Sequence, residues 1–221
     1  MQSTNIATCT VFGKLKFRMN LVEILAKGGP VIYLLIFISV TVCAIGIERL
    51  TFYSRAGNVN ENFFTNLKSI ASKGDIVYGQ QLCRNEKNLF GAVALAGIDA
   101  AARSENVETA VTVAFDEAAM KFRARLNYLS MIVTMAPLLG LLGTIFGMID
   151  SFNIFSIQAG QPLAITGGIG EALIATATGL CVAIFALIVH TYLAQKLDEK
   201  LTALDKISAI VTGGFSKNEK A

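Results

Sequence analysis

Three predominantly apolar stretches of this 221-residue chain run for 20 residues or more without a charged side chain: residues 28–47, 126–149 and 172–195. A helix rises 1.5 Å per residue, so each is long enough to cross roughly 30 Å of bilayer hydrocarbon. Only 16% of the chain is charged, against roughly 25% in an average soluble domain. The pattern predicts an all-α membrane protein with transmembrane helices over 28–47, 126–152 and 168–195. Pro30 fits the first turn of the first helix, where a missing N–H costs nothing. Residues 1–20 hold no apolar run followed by a cleavage site, so the first helix reads as the targeting signal.

Lys and Arg near the helix ends set the orientation. Residues 151–170 contain neither, whereas Lys121, Arg123 and Arg125 precede the second helix and Lys196, Lys200 and Lys206 follow the third. The hairpin at 153–167 is therefore expected outside, with segment 48–125 and the 196–221 tail in the cytoplasm and the N-terminal segment 1–27 on the outer side. Lys14, Lys16, Arg18 and Lys27 oppose that placement; a true start at Met19 would leave only Lys27.

The cytoplasmic segment carries apolar residues at helical spacing in "NENFFTNLKSIA" and in "VETAVTVAFDEAAMKFRARLNYL", which predicts two amphipathic helices. The second runs into the second membrane helix with no breaker, which predicts one continuous helix. "ASKGDIVYGQQLCRNEKN" reads as a polar turn region. "LFGAVALAGIDAAA" is too short for a span and reads as a close-packed soluble helix. Beyond Lys196, a stripe of Leu197, Leu201, Leu204 and Ile207 extends the third helix until it frays after Gly213 and Gly214.

A net charge of +3, divided between clusters next to the membrane helices, makes no case for nucleic acid. Cys9, Cys43, Cys83 and Cys181 are scattered and form no metal or redox motif, and no cofactor is expected.

The second and third membrane helices share a device. Gly140, Thr144, Gly147 and Ser151 follow one face of the second, and Ala172, Thr176, Gly179, Ala183 and Ala186 follow one face of the third. Small residues let helix backbones approach in lipid, where little hydrophobic drive separates them from their surroundings. A threonine in such a stripe either bonds the carbonyl one turn back or offers a hydroxyl to something between the helices. Glu171 is an ionisable group between apolar stretches, costly at membrane depth unless paired, protonated or wetted at the outer interface. It shares a face with Ala175 and Thr178, about 140° around the helix from Thr176. A helix with two polar faces suits a ring of subunits, one face toward a pore and the other toward a neighbour.

"APLLGLLGTIFGMIDSF" and "GIGEALIATATGLCVAIFALIVHTYL", with "EILAKGGPVIYLLIFISVTVCAIGIERLTFY" before them, resemble the MotA/TolQ/ExbB proton-channel family, nearest to its ExbB/TolQ branch. The resemblance runs from Met19 to about Asp205. It implies a pentameric bundle of this chain around two copies of a single-span ExbD/TolR-like subunit, which carries the proton-binding aspartate, in a bacterial inner membrane. It implies a pore subunit of a motor driven by proton-motive force that energises TonB-dependent transport across the outer membrane through a TonB-like periplasm-spanning partner, and no enzyme activity. By the same resemblance Thr144 and Thr176 match the family's pore threonines and Glu171 its helix-three glutamate, with Gly140, Gly147, Gly179 and Ala183 as small pore-wall residues. Thr178, where an apolar residue is usual, and the absence of a proline at 185–187 depart from the pattern. Ala175 before Thr176, in place of a second threonine, favours protons over sodium by analogy.

Rival readings are a Tol-type envelope motor, a gliding or flagellar stator subunit, and a membrane scaffold that conducts nothing. An intramembrane enzyme would rely on Glu171, Cys181 and His190, but Glu171 and His190 stand about 28 Å apart along one helix, too far to act together.

Overall fold

The computed structural model describes residues 29–57, 61–86, 88–157 and 162–215. The expected segment at 1–27, the choice between Met1 and Met19, and the tail beyond 215 lie outside the described residues. Those described form seven helices: α1 (Gly29–Arg55), α2 (Glu61–Lys73), α3 (Ile76–Asn85), α4 (Leu89–Ala102), α5 (Val107–Arg123), α6 (Leu126–Ile157) and α7 (Pro162–Phe215). No strand occurs among them.

Three helical stretches, in α1, α6 and α7, are long and apolar enough to cross a membrane. The 54 residues of α7 measure about 81 Å, more than twice the hydrocarbon thickness. The helices also take up most of the hairpin expected at 153–167, because α6 runs to Ile157 and α7 starts at Pro162. Nothing in Phe152–Ile157 breaks a helix, and proline is favoured at a first helical position.

The described residues pack as two compact units. One comprises residues up to Ser39 with Thr134–Ile184. Its centre is Val31 and Leu35 of α1, Ala136 of α6 and Val182 and Ala183 of α7, with Ile38 and Leu139 against them. Around that narrow centre, Tyr33, Phe37, Leu138, Leu141, Phe146, Leu173 and Ile184 are exposed. Apolar residues on every side of a helix mark one that is enclosed by lipid or by other subunits.

The second unit comprises Val40–Val133 and residues from Phe185 on. α2 buries Phe63, Leu67, Ile70 and Ala71, at the spacing its sequence predicts. α4 spans Leu89–Ala102, the stretch read as a short soluble helix, and packs between α3 and α5. Its apolar residues are buried by neighbours rather than by lipid. At Gly97 the approach is close: an added Cβ would stand 2.4 Å from methyls of both Val111 and Val211. Leu197, Leu204, Ile207 and Val211 of α7 are buried, and Leu201 is partly so. α7 runs through Gly213 and Gly214 to Phe215, the last described residue; a Cβ at Gly214 would lie 2.5 Å from that of Ala71, so this glycine serves a helix contact.

Two expectations are corrected. The polar stretch read as a turn contains α3, capped by the Asp75 carboxylate accepting from the Tyr78 N–H at 3.2 Å. Its buried residues are Gly79 and Cys83, too few to impose a visible apolar period, and it is stabilised by what packs on it. Nor do α5 and α6 form one continuous helix. Ala124 turns to extended backbone (ψ 139°) and Arg125 adopts the left-handed conformation (φ 67°), a cost of about 1–2 kcal/mol for a residue with a Cβ.

That break is compensated from α1. Arg49 Nη1 donates to the Lys121 carbonyl at 3.1 Å, Tyr53 Oη donates to the Phe122 carbonyl at 2.9 Å, and Glu48 pairs with Arg125. Phe52, Tyr53, Phe90 and Phe122 cluster around the junction with ring centroids 5.8–6.2 Å apart, and Arg49 lies over the Phe52 ring at 5.1 Å.

Candidate functional site: the seam between α6 and α7

Every predicted site residue belongs to the first unit, on α6 or α7. The two small-residue stripes face each other. A Cβ at Gly179 would come within 2.7 Å of the Ala136 carbonyl oxygen and 2.9 Å of the Gly140 Cα. One at Gly140 would meet the Ala175 carbonyl oxygen at 3.1 Å and the Thr176 Cα at 3.2 Å, and one at Gly147 would meet Ala172 and Gly168 at 3.2 Å. The atoms in the way are largely backbone, so the two helices approach along this line because no side chain holds them apart.

The seam is centred differently from the stripe read in the sequence. Gly143 faces α7 as well, where an added Cβ would lie 2.6 Å from that of Ala175. Gly140, Gly143 and Gly147, at intervals of three and four, therefore carry the contact, and that spacing was the signal available in the sequence. Thr144 lies beside the line, partly exposed, with its hydroxyl donating to the Leu141 carbonyl of its own helix at 2.6 Å.

Thr176 is in the seam. Its hydroxyl stands 3.4 Å from the Ala172 carbonyl oxygen one turn back and 3.4 Å from the Gly140 carbonyl oxygen across the seam. Both contacts are at the outer limit for an O–H donor, so the hydroxyl is loosely held between two acceptors. Thr178 makes the ordinary bond one turn back, to the Ile174 carbonyl at 2.8 Å. Ser151, the last residue of the predicted α6 stripe, is buried and donates to the Gly147 carbonyl at 2.7 Å; a Cβ at Gly168 would collide with its Oγ, so Gly168 extends the seam on α7.

Glu171 is partly exposed, while Ala175 on the same face is buried. Ala183 belongs to the unit's apolar centre with Val31 and Leu35. Cys181 is exposed and His190 partly so. Among the described residues no group of three His, Cys, Asp or Glu side chains could hold a metal ion.

The seam thus combines two helices in backbone contact, a weakly bound hydroxyl on α7, a second hydroxyl on α6, and apolar surface outside. A hydroxyl can donate to or accept from a polar group without placing a fixed charge in the membrane.

Comparison with known proteins identifies the family. The model of the MotA/TolQ/ExbB proton channel family matches residues 85–206, which include all of α4 to α6 and the seam. An ExbB-like biopolymer transport protein of Synechocystis sp. is 32% identical over 188 residues, covering 82% of this chain and 74% of that protein. The Tol-Pal system protein TolQ of Pseudomonas aeruginosa is 33% identical over 120 residues, 52% of each chain. The biopolymer transport protein ExbB of Salmonella typhimurium is 35% identical over 86 residues, 38% of this chain and 35% of that one. The chain belongs to the MotA/TolQ/ExbB proton channel family.

Proposed function

We propose that this chain is the pore-forming subunit of a bacterial inner-membrane motor driven by proton-motive force, of the ExbB kind, which energises TonB-dependent transport across the outer membrane. The observation that carries this reading is the pair of hydroxyls, Thr144 on α6 and Thr176 on α7, beside a seam of glycines. In the working assembly five copies surround two single-span ExbD/TolR-like subunits, whose aspartate carries the proton. Thr144 and Thr176 exchange hydrogen bonds with that carboxyl and with water. Gly140, Gly147, Gly179 and Ala183 shape the pore wall from behind, holding α6 and α7 together as one slab. Glu171 wets the outer mouth. The N-terminus lies in the periplasm and the C-terminus in the cytoplasm, a placement supported by the lack of Lys and Arg in 151–170 and their clusters before the second and after the third membrane helix.

Native mass spectrometry of the complex, co-expressed with its single-span partner, tests the assembly: five copies with two partners support the reading. Proton flux then tests the site. Thr144→Val and Thr176→Val should each leave the complex assembled and reduce flux; normal flux in both would instead favour a scaffold that only holds its partners.

The likeness to a Tol-Pal system protein favours a second reading, a TolQ-like motor for envelope integrity with the same pore. Rescue of a TolQ-deficient strain but not of an ExbB-deficient one would select it.

A further inference from the structure

The α5–α6 junction is broken where the sequence alone would continue the helix. No glycine or proline occurs from Val107 to Ala136, and Arg123, Ala124 and Arg125 are good helix formers. In a continuous helix the Arg125 and Leu126 amides would donate to the carbonyls four residues back, those of Lys121 and Phe122. These two carbonyls accept from Arg49 and Tyr53 of α1 instead. Arg49 and Tyr53 lie one turn apart on α1 and are only 6% and 4% exposed.

We propose that Arg49 and Tyr53 are positioning residues: they hold the α5–α6 junction broken by occupying the first two of the carbonyls a continuous helix would use across it, and their release lets α5 and α6 join. The two forms satisfy the same acceptors with different donors, so conversion exchanges hydrogen bonds without losing any at these carbonyls. The broken form carries two local costs, the left-handed backbone of Arg125 and the Arg49 Nε, which is buried without a partner. Glu48, paired with Arg125, holds the side chain of the left-handed residue in place. A local preference that contradicts the tertiary arrangement is characteristic of functional elements. Joining would turn α6 about its axis at its first residue, and α6 carries Thr144. The consequence for proton flux rests on the proposed function; the exchange of donors does not.

Hydrogen–deuterium exchange on the full-length chain in its membrane complex reads the Arg125 and Leu126 amides directly. In Arg49→Met/Tyr53→Phe both amides gain an acceptor, and their exchange should slow at least tenfold. Adding Arg125→Gly, which favours left-handed backbone, should restore fast exchange. Unchanged or faster exchange in the double variant, or slowing that Arg125→Gly does not reverse, would overturn the proposal. If the double variant does not accumulate, Tyr53→Phe alone decides: at least threefold slowing at Leu126 supports it and no slowing there refutes it. Proton flux should fall at least tenfold in the double variant and recover with Arg125→Gly, whereas undiminished flux would refute the positioning role. Full flux in a Thr144→Val control would count against the pore reading alone and leave the exchange result standing.

Discussion

The hydroxyl of Thr176 lies midway between the Ala172 carbonyl of its own helix and the Gly140 carbonyl of α6, 3.4 Å from each. A donor so loosely held contributes little to stability and is free to turn toward another acceptor, which is the property a proton path needs.

Thr176→Val therefore separates function from folding. The lost bonds should cost less than about 1 kcal/mol, leaving the thermal midpoint nearly unchanged, while proton flux falls at least tenfold, about 1.4 kcal/mol on the barrier. Thr176→Ser, which keeps the hydroxyl, should retain most of the flux. A large loss of thermal stability in Thr176→Val would reassign the residue to packing.

Gly179→Ala should act in the opposite way. Its Cβ would meet backbone atoms of Ala136 and Gly140 at 2.7 and 2.9 Å, which can yield only if α6 and α7 separate. Overpacking of this kind costs typically 1–3 kcal/mol. Gly213→Ala on the same helix meets nothing within 4 Å and should be neutral or stabilising by about 0.5–1 kcal/mol. Thermal unfolding of the two purified variants compares them directly.

Cys83 gives a pH dependence. Burial, and then the charges of Asp99 and Glu86, push its thiol up to about 12, whereas a thiol in the unfolded chain titrates near 8.5. Below about 8.5 neither state ionises and the contribution to stability is complete. Between about 8.5 and 12 the unfolded chain ionises while the folded one keeps its proton, so stability falls as pH rises. Cys83→Ala should show a shallower decline of the thermal midpoint from pH 8.5 to 10.5. In the native protein at pH 8, maleimide should leave Cys83 unlabelled until denaturant is added.

Asn88 caps α4. Its carbonyl oxygen accepts from the Gly91 N–H at 2.9 Å and its amide donates to Glu86 at 3.0 Å. Asn88→Ala should destabilise the protein by about 1 kcal/mol, and Asn88→Ser, which keeps a capping oxygen without setting a second carboxylate beside Glu86, by less. Denaturant midpoints of the two variants test this.

What the sequence by itself determined is what lipid and periodicity impose. A run of 20 or more uncharged and predominantly apolar residues has few alternatives to crossing a bilayer, and the buried stripes of α2 and α7 repeat at the helical period. The small residues of α6 and α7 were legible as a packing device for the same reason, although the stripe was drawn through Thr144 and passed over Gly143.

The tertiary structure alone decided three things. α3 is a helix because neighbours bury Gly79 and Cys83, although its own sequence has too little apolar period to show it. Thr144 turned out to lie beside the glycine line and Thr176 within it; four residues advance a helix by 400°, so a stripe drawn by spacing carries an uncertainty of tens of degrees. The break at Ala124–Arg125 has no local cause, because two good helix formers stand there. It exists because Arg49 and Tyr53, some 70 residues earlier in the chain, supply from another helix the donors that the chain's own amides would otherwise provide.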